Sequence, residues 1–405
     1  MPEAVATPPS AATGLAGPSA RTVTTLTTLE GLEGIRDAWA AASLTRFDAD
    51  PDFYLAFARS RSSFVRPHVV IVERDGLLES MLIARVEDVE RSAKLGYRSL
   101  FRNRLRAIAL VHGGLVCTTE HDARLLIREL RESLARGEAD IVTLPALGVG
   151  SVLHRAAEDV PAVLRQPLLR RTVHHRLELP ATMEDFLASR SKSTRQSVKR
   201  YGRKLERELG DRLDLRVYRD PADLDRILAD TEPVASLTYQ RGLGVALADT
   251  SEQRALLEVG LRNGWFRTYV LYLEGRPIAF WPGYGYRGTF FIGTPGYDPA
   301  FADYRVGMHL QMRMIEDLCA DPALQAVDYG FGDAEYKRRF GSETTDEQDV
   351  TIFAARPRPL TINLLHATIA LATTAAGGVL ARTGLLDRFK RGWRRRLAPP
   401  HLRAS

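Results

Sequence analysis

Residues 328–341, DYGFGDAEYKRRFG, bring together side chains that are suited to proton transfer and to anion binding. A strand-like start runs into Gly330 and Gly332, and two carboxylates, a tyrosine and three consecutive cations follow. Because glycine lets the backbone bend sharply, the pattern predicts a strand that ends at the rim of a cleft, with cations placed to meet an anion. The alternative is a hairpin turn that carries a solvated charged surface.

A second group of cations lies on a predicted helix at residues 184–209. Its apolar side chains fall on one helical face: Val198, Tyr201, Leu205 and Leu209. Residues 190–207 hold eight cations against one acid, and like charges at i, i+4 spacing cost stability. We therefore expect Arg195 and Lys199 to face an anionic ligand. A solvated helix face is the alternative.

The net charge of +6 has its source in one segment, residues 386–405, which holds seven Lys or Arg against one acid. The rest of the chain is neutral, so no surface for DNA is expected. The two cysteines, Cys117 and Cys319, lie far apart, and the nine histidines show no metal-ligand spacing. These patterns predict neither a disulfide framework nor a metal site and favour the cytoplasm.

The chain divides into four parts. Residues 1–20 lack the basic start and apolar run of a signal peptide, so we expect a disordered leader. Residues 21–178 and 179–356 share a layout of strands joined by Gly-containing turns, then a helix, then a strand. Residues 357–405 form an apolar and then basic tail. The layout predicts an α/β (α+β) fold with mixed central sheets flanked by helices, in two similar halves.

A meander of three strands, then a helix, then a strand is the core of the GCN5-related acetyltransferase (GNAT) fold, which both halves resemble. In that fold the helix binds pyrophosphate through its unpaired N–H groups. Here the helix is expected to begin within residues 304–309, YRVGMH, which keep the first glycine of the family pattern but not the second. The resemblance implies acetyl-CoA or another acyl-CoA as co-substrate, bound at Arg305, Val306, Gly307 and Met308.

Four segments make the resemblance more specific: TYQRGLG (238–244), VLYLEGRPIAFWPG (270–283), GYDPAFADYRVG (296–307) and DYGFGDAEYKRRFG (328–341). Together they resemble the CelD-type, acetyltransferase-like family of envelope and polysaccharide biosynthesis, which is related to the Fem-type peptidyltransferases. The resemblance implies tandem GNAT-like folds and an acyltransferase. The enzyme would move an acyl group to an amine or hydroxyl of an envelope saccharide or a related metabolite.

The resemblance also implies roles for single residues. Lys337 would stabilise a developing oxyanion or a donor phosphate, Tyr336 would exchange a proton near the leaving group, and Asp333 would orient Lys337 or hold the acceptor amine. Residues on the acceptor side would be Tyr239, Gln240 and Arg241. Trp281 and Tyr284 are candidates for the binding site, with a core position as the alternative for both.

Two other functions remain open. A Fem-type aminoacyl transferase would use charged tRNA, which suits the basic helix at residues 184–209. A degenerate GNAT fold would instead serve as a non-catalytic partner in a polysaccharide-export assembly.

The composition of the tail, residues 357–405, predicts where the protein is located in the cell. Residues 360–381 carry no formal charge, and Phe389 and Trp393 then lie among six cations. Aromatic side chains with a basic face are typical of a helix on anionic lipid. We expect peripheral attachment to the inner face of the membrane, and a helix pair packed on the domain is the alternative.

Overall fold

The computed structural model describes residues 21–95, 98–166, 171–238, 247–332 and 334–382. Within these ranges, no helix is both long enough and apolar enough to cross a bilayer. The expected leader and the basic end of the tail lie outside the described residues.

The first half is a layer of strands with helices on both faces. Its strands are β1 (Arg21–Leu26), β2 (Phe64–Arg74), β3 (Leu77–Leu95), β4 (Arg98–Val116) and β5 (Ile141–Gly148). Its helices are α1 (Leu29–Glu33), α2 (Arg36–Ala41), α3 (Pro51–Ser60), α4 (Glu120–Ala135) and α5 (Val152–Glu158). Leu130 of α4 and Leu153 of α5 pack on one face of the sheet, and Trp39 and Tyr54 pack on the other.

The second half repeats this layering. Its strands are β6 (Arg171–Glu178), β7 (Leu213–Tyr218), β8 (Phe266–Leu273), β9 (Arg276–Tyr286), β10 (Thr289–Ile292), β11 (Gly296–Tyr297), β12 (Ala326–Phe331) and β13 (Glu343–Phe353). Its helices are α6 (Met183–Ala188), α7 (Lys192–Leu209), α8 (Leu224–Ser236), α9 (Ser251–Arg262), α10 (Val306–Cys319) and α11 (Glu335–Phe340), and α12 (Pro357–Arg382) follows β13. Leu205 of α7 and Leu310 of α10 cover one face, and Ile227 of α8 and Leu257 of α9 cover the other.

The described strands form one mixed sheet in the order β1-β2-β3-β4-β5-β13-β6-β12-β10-β9-β8-β7, with β11 beside β9. Strand β13, from the end of the second half, pairs with β5 of the first. Strand β6 pairs with β12 on one side and with β13 on the other. The boundary expected at residue 178 stays a prediction, because β6, which ends there, pairs with β12 and β13 and the sheet continues from one half to the other.

The predicted hairpin turns are confirmed. The two-residue turns Asp75-Gly76, Glu274-Gly275 and Arg287-Gly288 have positive φ at both positions, from 45° to 80°. This backbone matches the twist of the flanking strands, and glycine adopts it without steric cost. Both halves therefore contain the predicted antiparallel meander, β2-β3-β4 in the first and β8-β9-β10 in the second, each followed by a helix and a strand.

Residues 328–341 hold the end of a strand and a short helix, not a hairpin turn. Strand β12 ends at Phe331, and α11 follows before β13 begins. Gly330 and Gly332 have φ of 67° and 99°, which side chains rarely allow. Gly330 lies at an irregularity in the pairing of β12 with β6, and Gly332 turns the chain after the strand has ended.

Candidate active site

Two parallel strands separate in the second half and form a fork. Strand β10 pairs with β12 over three residues, and the last pair joins Phe291 to Asp328. Beyond that pair β12 continues along β6, where Gly330 lies opposite His175. Tyr329 is therefore the first residue past the point at which the two strands part.

A cavity of about 690 Å³ lies beside this fork, on the side of the sheet that α10 covers. Helix α7, the N-terminus of α10, strand β11 and helix α11 contribute its walls. Its large side chains are Tyr201, Trp281, Tyr297, Met308, Tyr336 and Phe340. A mostly apolar concave site with a few polar groups is typical of small-molecule binding.

The N-terminus of α10 opens into the cavity. Arg305 is its N-cap residue, has φ of 54° and makes no side-chain capping bond. All four residues predicted to bind the donor line the cavity: Arg305, Val306, Gly307 and Met308. The Met308 amide donates to the carbonyl oxygen of Arg305 at 2.9 Å. The amides of Val306 and Gly307 come before the first hydrogen-bonded turn of the helix, so this end of α10 is suited to an anion.

Gly307 keeps the space in front of this helix end open. The indole Nε1 of Trp281 donates to the carbonyl oxygen of Gly307 at 3.1 Å and holds the first turn against β9. A Cβ atom at residue 307 would lie 3.4 Å from the ring of Tyr297. A methyl group fits at that distance, whereas a branched side chain would fill the approach to the helix end.

Three arginines surround the mouth of the cavity: Arg200, Arg305 and Arg339. The guanidinium carbons of Arg200 and Arg305 lie 4.6 and 5.6 Å from the ring centre of Tyr201. A hydrogen bond with Arg305 and the charge of Arg200 lower the pKa of Tyr201. Within the described ranges, neither of these two arginines forms an ion pair with an acid, so both remain available to a phosphate.

Helix α7 uses a different flank for the cavity than the sequence pattern predicts. Ser197, Arg200 and Tyr201 line the cavity. Arg195 instead donates to the carbonyl oxygens of Ala188 and Arg190, and Lys199 is exposed to solvent. The structure thus does not bring Arg195 and Lys199 into this site. Arg200, which directly precedes Tyr201, is a cavity residue that the sequence pattern does not predict.

Aromatic rings enclose the inner end of the cavity. The ring centre of Tyr336 lies 5.5 Å from Trp281 and 6.0 Å from Tyr329, with both pairs edge to face. Trp281 and Tyr336 line the cavity. Of the predicted residues, the structure therefore brings Trp281 and Tyr336 together with the N-terminus of α10.

Tyr284 lies elsewhere. It is stacked on Phe47 of the first half with ring centres 4.1 Å apart, and it also packs against Phe266. Strand side chains alternate between the two faces of a sheet, so residues three apart on β9 point to opposite faces. The structure therefore places Tyr284 in the core between the halves, away from the cavity that contains Trp281.

Lys337 lies beside the cavity rather than in its wall. Its Nζ donates to the carbonyl oxygen of Phe331 at 2.6 Å, where β12 ends. Burial lowers the pKa of Lys337, and the charge of Asp328 acts in the opposite direction. The other predicted catalytic residue, Asp333, lies outside the described residues, as do Tyr239, Gln240 and Arg241. Leu237 and Thr238, which directly precede that segment, line the cavity.

A cluster of charged groups, which we call the clamp, anchors β12 from its other side: Arg46, His174, Asp328 and Glu347. Asp328 accepts from His174 Nε2 at 2.8 Å, from Arg46 Nη1 at 3.1 Å and from the Gly330 amide at 2.6 Å. His174 Nδ1 lies 2.9 Å from Glu347 Oε1. No local sequence pattern indicates this cluster, because its members are far apart in the chain.

The first half has no equivalent anion site at its corresponding helix. The first turn of α4 carries Glu120 and Asp122, and Thr119 caps it. Asp122 is buried and lies 2.9 Å from Nε of Arg21. Carboxylates at a helix N-terminus occupy the place that a bound phosphate would need. Among the residues that the structure describes, no group of three or more His, Cys, Asp or Glu is arranged to hold a metal ion.

A family of known protein domains matches the part of the chain that contains this site. Residues 192–338 match the family described as an acetyltransferase (GNAT) domain. This stretch includes α7, the fork, α10 and Tyr336. The chain is therefore an acyltransferase with a GNAT domain in its second half. A search of curated proteins finds no match.

Solved structures resemble most of the chain. The crystal structure of FemX has a TM-score of 0.60 at 10% identity and covers 84% of this chain and 100% of its own. A conserved protein from Bacteroides thetaiotaomicron VPI-5482 has a TM-score of 0.49 at 12% identity, over 82% of this chain and 100% of its own. A tandem GNAT protein from the clavulanic acid biosynthesis pathway has a TM-score of 0.46 at 14% identity. The match covers 84% of this chain and 100% of that protein. At this identity the likeness to FemX shows the fold alone.

Proposed function

We propose that the protein transfers an acyl group, acetyl or larger, from acyl-CoA to an amine or hydroxyl of an envelope saccharide or a related metabolite. One observation carries this proposal. The N-terminus of α10, two arginines that form no ion pair with a described acidic residue, and a strand fork meet at one cavity within the GNAT domain. An anion site next to an apolar slot suits a thioester whose far end is a pyrophosphate.

The donor would bind along α10. Its pyrophosphate would accept from the first-turn amides of Val306 and Gly307, with Met308 in the cavity wall and Arg305 and Arg200 as counter-charges. The pantetheine arm would run into the fork, so that the thioester reaches Trp281 and Tyr336. The proposal is supported by the open space at Gly307, which lets the ligand approach the backbone.

The reaction needs positioning and proton transfer more than covalent catalysis. The acceptor nitrogen or oxygen attacks the thioester carbonyl carbon, the carbon–sulfur bond breaks, and the thiolate leaves with a proton. The Tyr336 hydroxyl would supply that proton, and the proton that the acceptor loses on attack would restore the hydroxyl. Lys337 would stabilise the developing oxyanion through its charge, and Asp333 would orient Lys337 or hold the acceptor amine. The acceptor would lie against Tyr239, Gln240 and Arg241.

The nature of the acceptor rests on the resemblance to the CelD-type family. That resemblance favours a saccharide of the bacterial envelope, made at the inner face of the membrane. A peripheral location would fit the basic tail, which would hold the enzyme near its product.

A second function has one observation in its favour. Lys199 and Arg203 form an exposed basic flank of α7 outside the cavity. Such a flank suits a phosphate-rich donor, as in Fem-type transfer from aminoacyl-tRNA. Binding to RNA would weaken steeply with salt because phosphate contacts release counterions. A protein that binds neither donor would instead be a non-catalytic partner in polysaccharide export.

The test begins with the ligand that the protein retains. Mass spectrometry of the purified full-length protein is expected to find CoA or an acyl-CoA. Incubation with acetyl-CoA and a panel of amino sugars and nucleotide sugars is expected to release free thiol with at least one acceptor. Thiol release with none of them, together with salt-sensitive RNA binding, would favour the second function.

A further inference from the structure

One polar side chain lies deep in the cavity wall without a role in the proposed reaction. Gln311 lies on α10 one turn after Gly307, so both residues face the same side of the helix. The residue is 1% exposed, yet it lines the cavity. Its neighbours in the helix, Leu310 and Met312, belong to the apolar core. Burial of an amide is costly unless the amide is hydrogen-bonded.

The hydrogen bonding of Gln311 is incomplete. Its Nε2 donates to the hydroxyl of Tyr329 at 3.4 Å, a long distance for such a bond. Among the described residues this is the one hydrogen bond that its amide makes. A glutamine amide offers two N–H donors and a carbonyl acceptor. One N–H donor and the carbonyl oxygen of Gln311 therefore remain for a molecule in the cavity.

The bond to Tyr329 shows where the amide of Gln311 lies. Tyr329 is the first residue past the last β10–β12 pair, so the amide of Gln311 lies at the fork. Burial raises the pKa of Tyr329, which keeps the hydroxyl neutral. Within the proposed function, the thioester end of the donor reaches this place, next to Tyr336. The group nearest to Gln311 would then be the acyl substituent.

We propose that Gln311 selects the acyl group of the donor: its amide hydrogen-bonds a hydroxyl, amino or carbonyl group on the acyl substituent. The enzyme then prefers polar acyl groups over alkyl groups of the same size. This inference rests on the proposed acyl-CoA function. The physical reason is that an alkyl substituent leaves a buried amide unpaired, and sites built to hydrogen-bond a substrate reject analogues that lack the partner.

A matched pair of donors tests the inference. Glycolyl-CoA and propionyl-CoA differ in a hydroxyl against a methyl group of similar size. Calorimetric titration of the full-length protein with each thioester and with CoA needs no acceptor. We expect glycolyl-CoA to bind at least tenfold more tightly than propionyl-CoA. In Gln311→Met this ratio is expected to fall to about one or to invert.

The control is Gln348→Met, which removes another buried glutamine, bonded to His154 in the first half. It is expected to leave the ratio unchanged. Equal affinity of the wild type for both thioesters would overturn the inference, and this measurement needs no variant that folds. An unchanged ratio in Gln311→Met would overturn it as well. So would an equal loss for both thioesters and CoA, because Gln311 would then bind the pantetheine arm. Failure of all three to bind would overturn the proposed function itself.

Discussion

His174 donates from Nε2 to Oδ1 of Asp328 at 2.8 Å, and this contact holds the strand that ends in the fork. Burial opposes a charge on the imidazole, but the hydrogen bond to Asp328 and the close contact with the Glu347 carboxylate together raise the pKa of His174 to about 9. The same contact lowers the pKa of Asp328 despite its burial. His174 therefore binds β12 and β13 as an imidazolium ion.

This clamp predicts a pH dependence of stability. The folded pKa of His174, about 9, lies above its value of about 6.5 in an unfolded chain. The stabilisation is thus fully present below pH 6.5 and is lost as the pH rises through about 9, because the folded state binds the extra proton. Relative to His174→Gln, we expect the free energy of unfolding to fall by on the order of 2 kcal/mol over this range.

Urea denaturation of both proteins at a series of pH values measures this difference. The other ionisable groups that face His174 are Glu347 and Asp328, with Arg46 and His112 close by. They are present in both proteins, so their own titration largely cancels. Parallel stability curves for the wild type and His174→Gln would show that the imidazolium does not contribute.

Tyr336→Phe is expected to lower turnover by at least about tenfold, because the leaving thiolate loses its proton donor. The KM for the acyl donor should change little, since the ring still packs against Trp281. The alkaline limb of the pH–kcat profile should also change. Tyr304→Phe is the control, because Tyr304 is not part of the cavity wall. Turnover within twofold of the wild type would remove Tyr336 from the reaction.

Lys337→Ala is expected to lower turnover at least about tenfold, because loss of one preorganised donor at an oxyanion typically costs about 2.7–4 kcal/mol. Its Nζ bonds a backbone carbonyl at the end of β12, so only a small change in Tm is expected. Arg338→Ala serves as the neighbouring control. A normal rate in Lys337→Ala would reduce the role of Lys337 to the contact with Phe331.

The tail is expected to bind anionic lipid. Leu364 and Leu371 on α12 are 67% and 59% exposed, and the basic segment beyond residue 382 lies outside the described residues. The start of α12 is anchored, since Asn363 Nδ2 donates to the carbonyl oxygens of Val163 and Arg165 at 3.1 and 3.0 Å. A truncation should therefore end at Arg382 rather than before α12.

Sedimentation with phosphatidylglycerol vesicles tests this expectation. The full-length protein should sediment with them and be released by salt, since each cation near such a surface contributes on the order of 1 kcal/mol. The chain ending at Arg382, and a variant with Arg394, Arg395 and Arg396 changed to Glu, should stay in solution. Equal sedimentation of all three proteins would contradict binding through the basic tail.

The sequence predicts the local features of the fold well. The three glycine turns are readable because a polar residue followed by glycine between two strand-like runs is typical of a hairpin, and φ is positive at both residues of each turn. The residues at the N-terminus of α10 are readable for another reason: Gly307 matches the first glycine of the GNAT pattern just where a helix begins. These features depend on a few neighbouring residues and on backbone sterics.

Contacts between residues far apart in the chain cannot be predicted from such local patterns. The pairing of β13 with β5 joins residues about 200 apart, and no local pattern encodes that register. On α7 the buried stripe of Leu205 and Leu209 has a basic flank on each side. The sequence does not show which flank faces α10, so the pattern predicts Arg195 and Lys199, whereas Arg200 lines the cavity.

The central claim is that an acyl-CoA binds at the N-terminus of α10, and the Tm of the full-length protein with acetyl-CoA tests it most directly. Binding to the folded state raises Tm by mass action. We expect a concentration-dependent rise in the wild type and in Gly202→Val, where a Cβ atom meets nothing within 4 Å. We expect no rise in Gly307→Val, whose branched side chain blocks the helix end. Equal rises in the wild type and Gly307→Val, or no rise in the wild type, would contradict the claim.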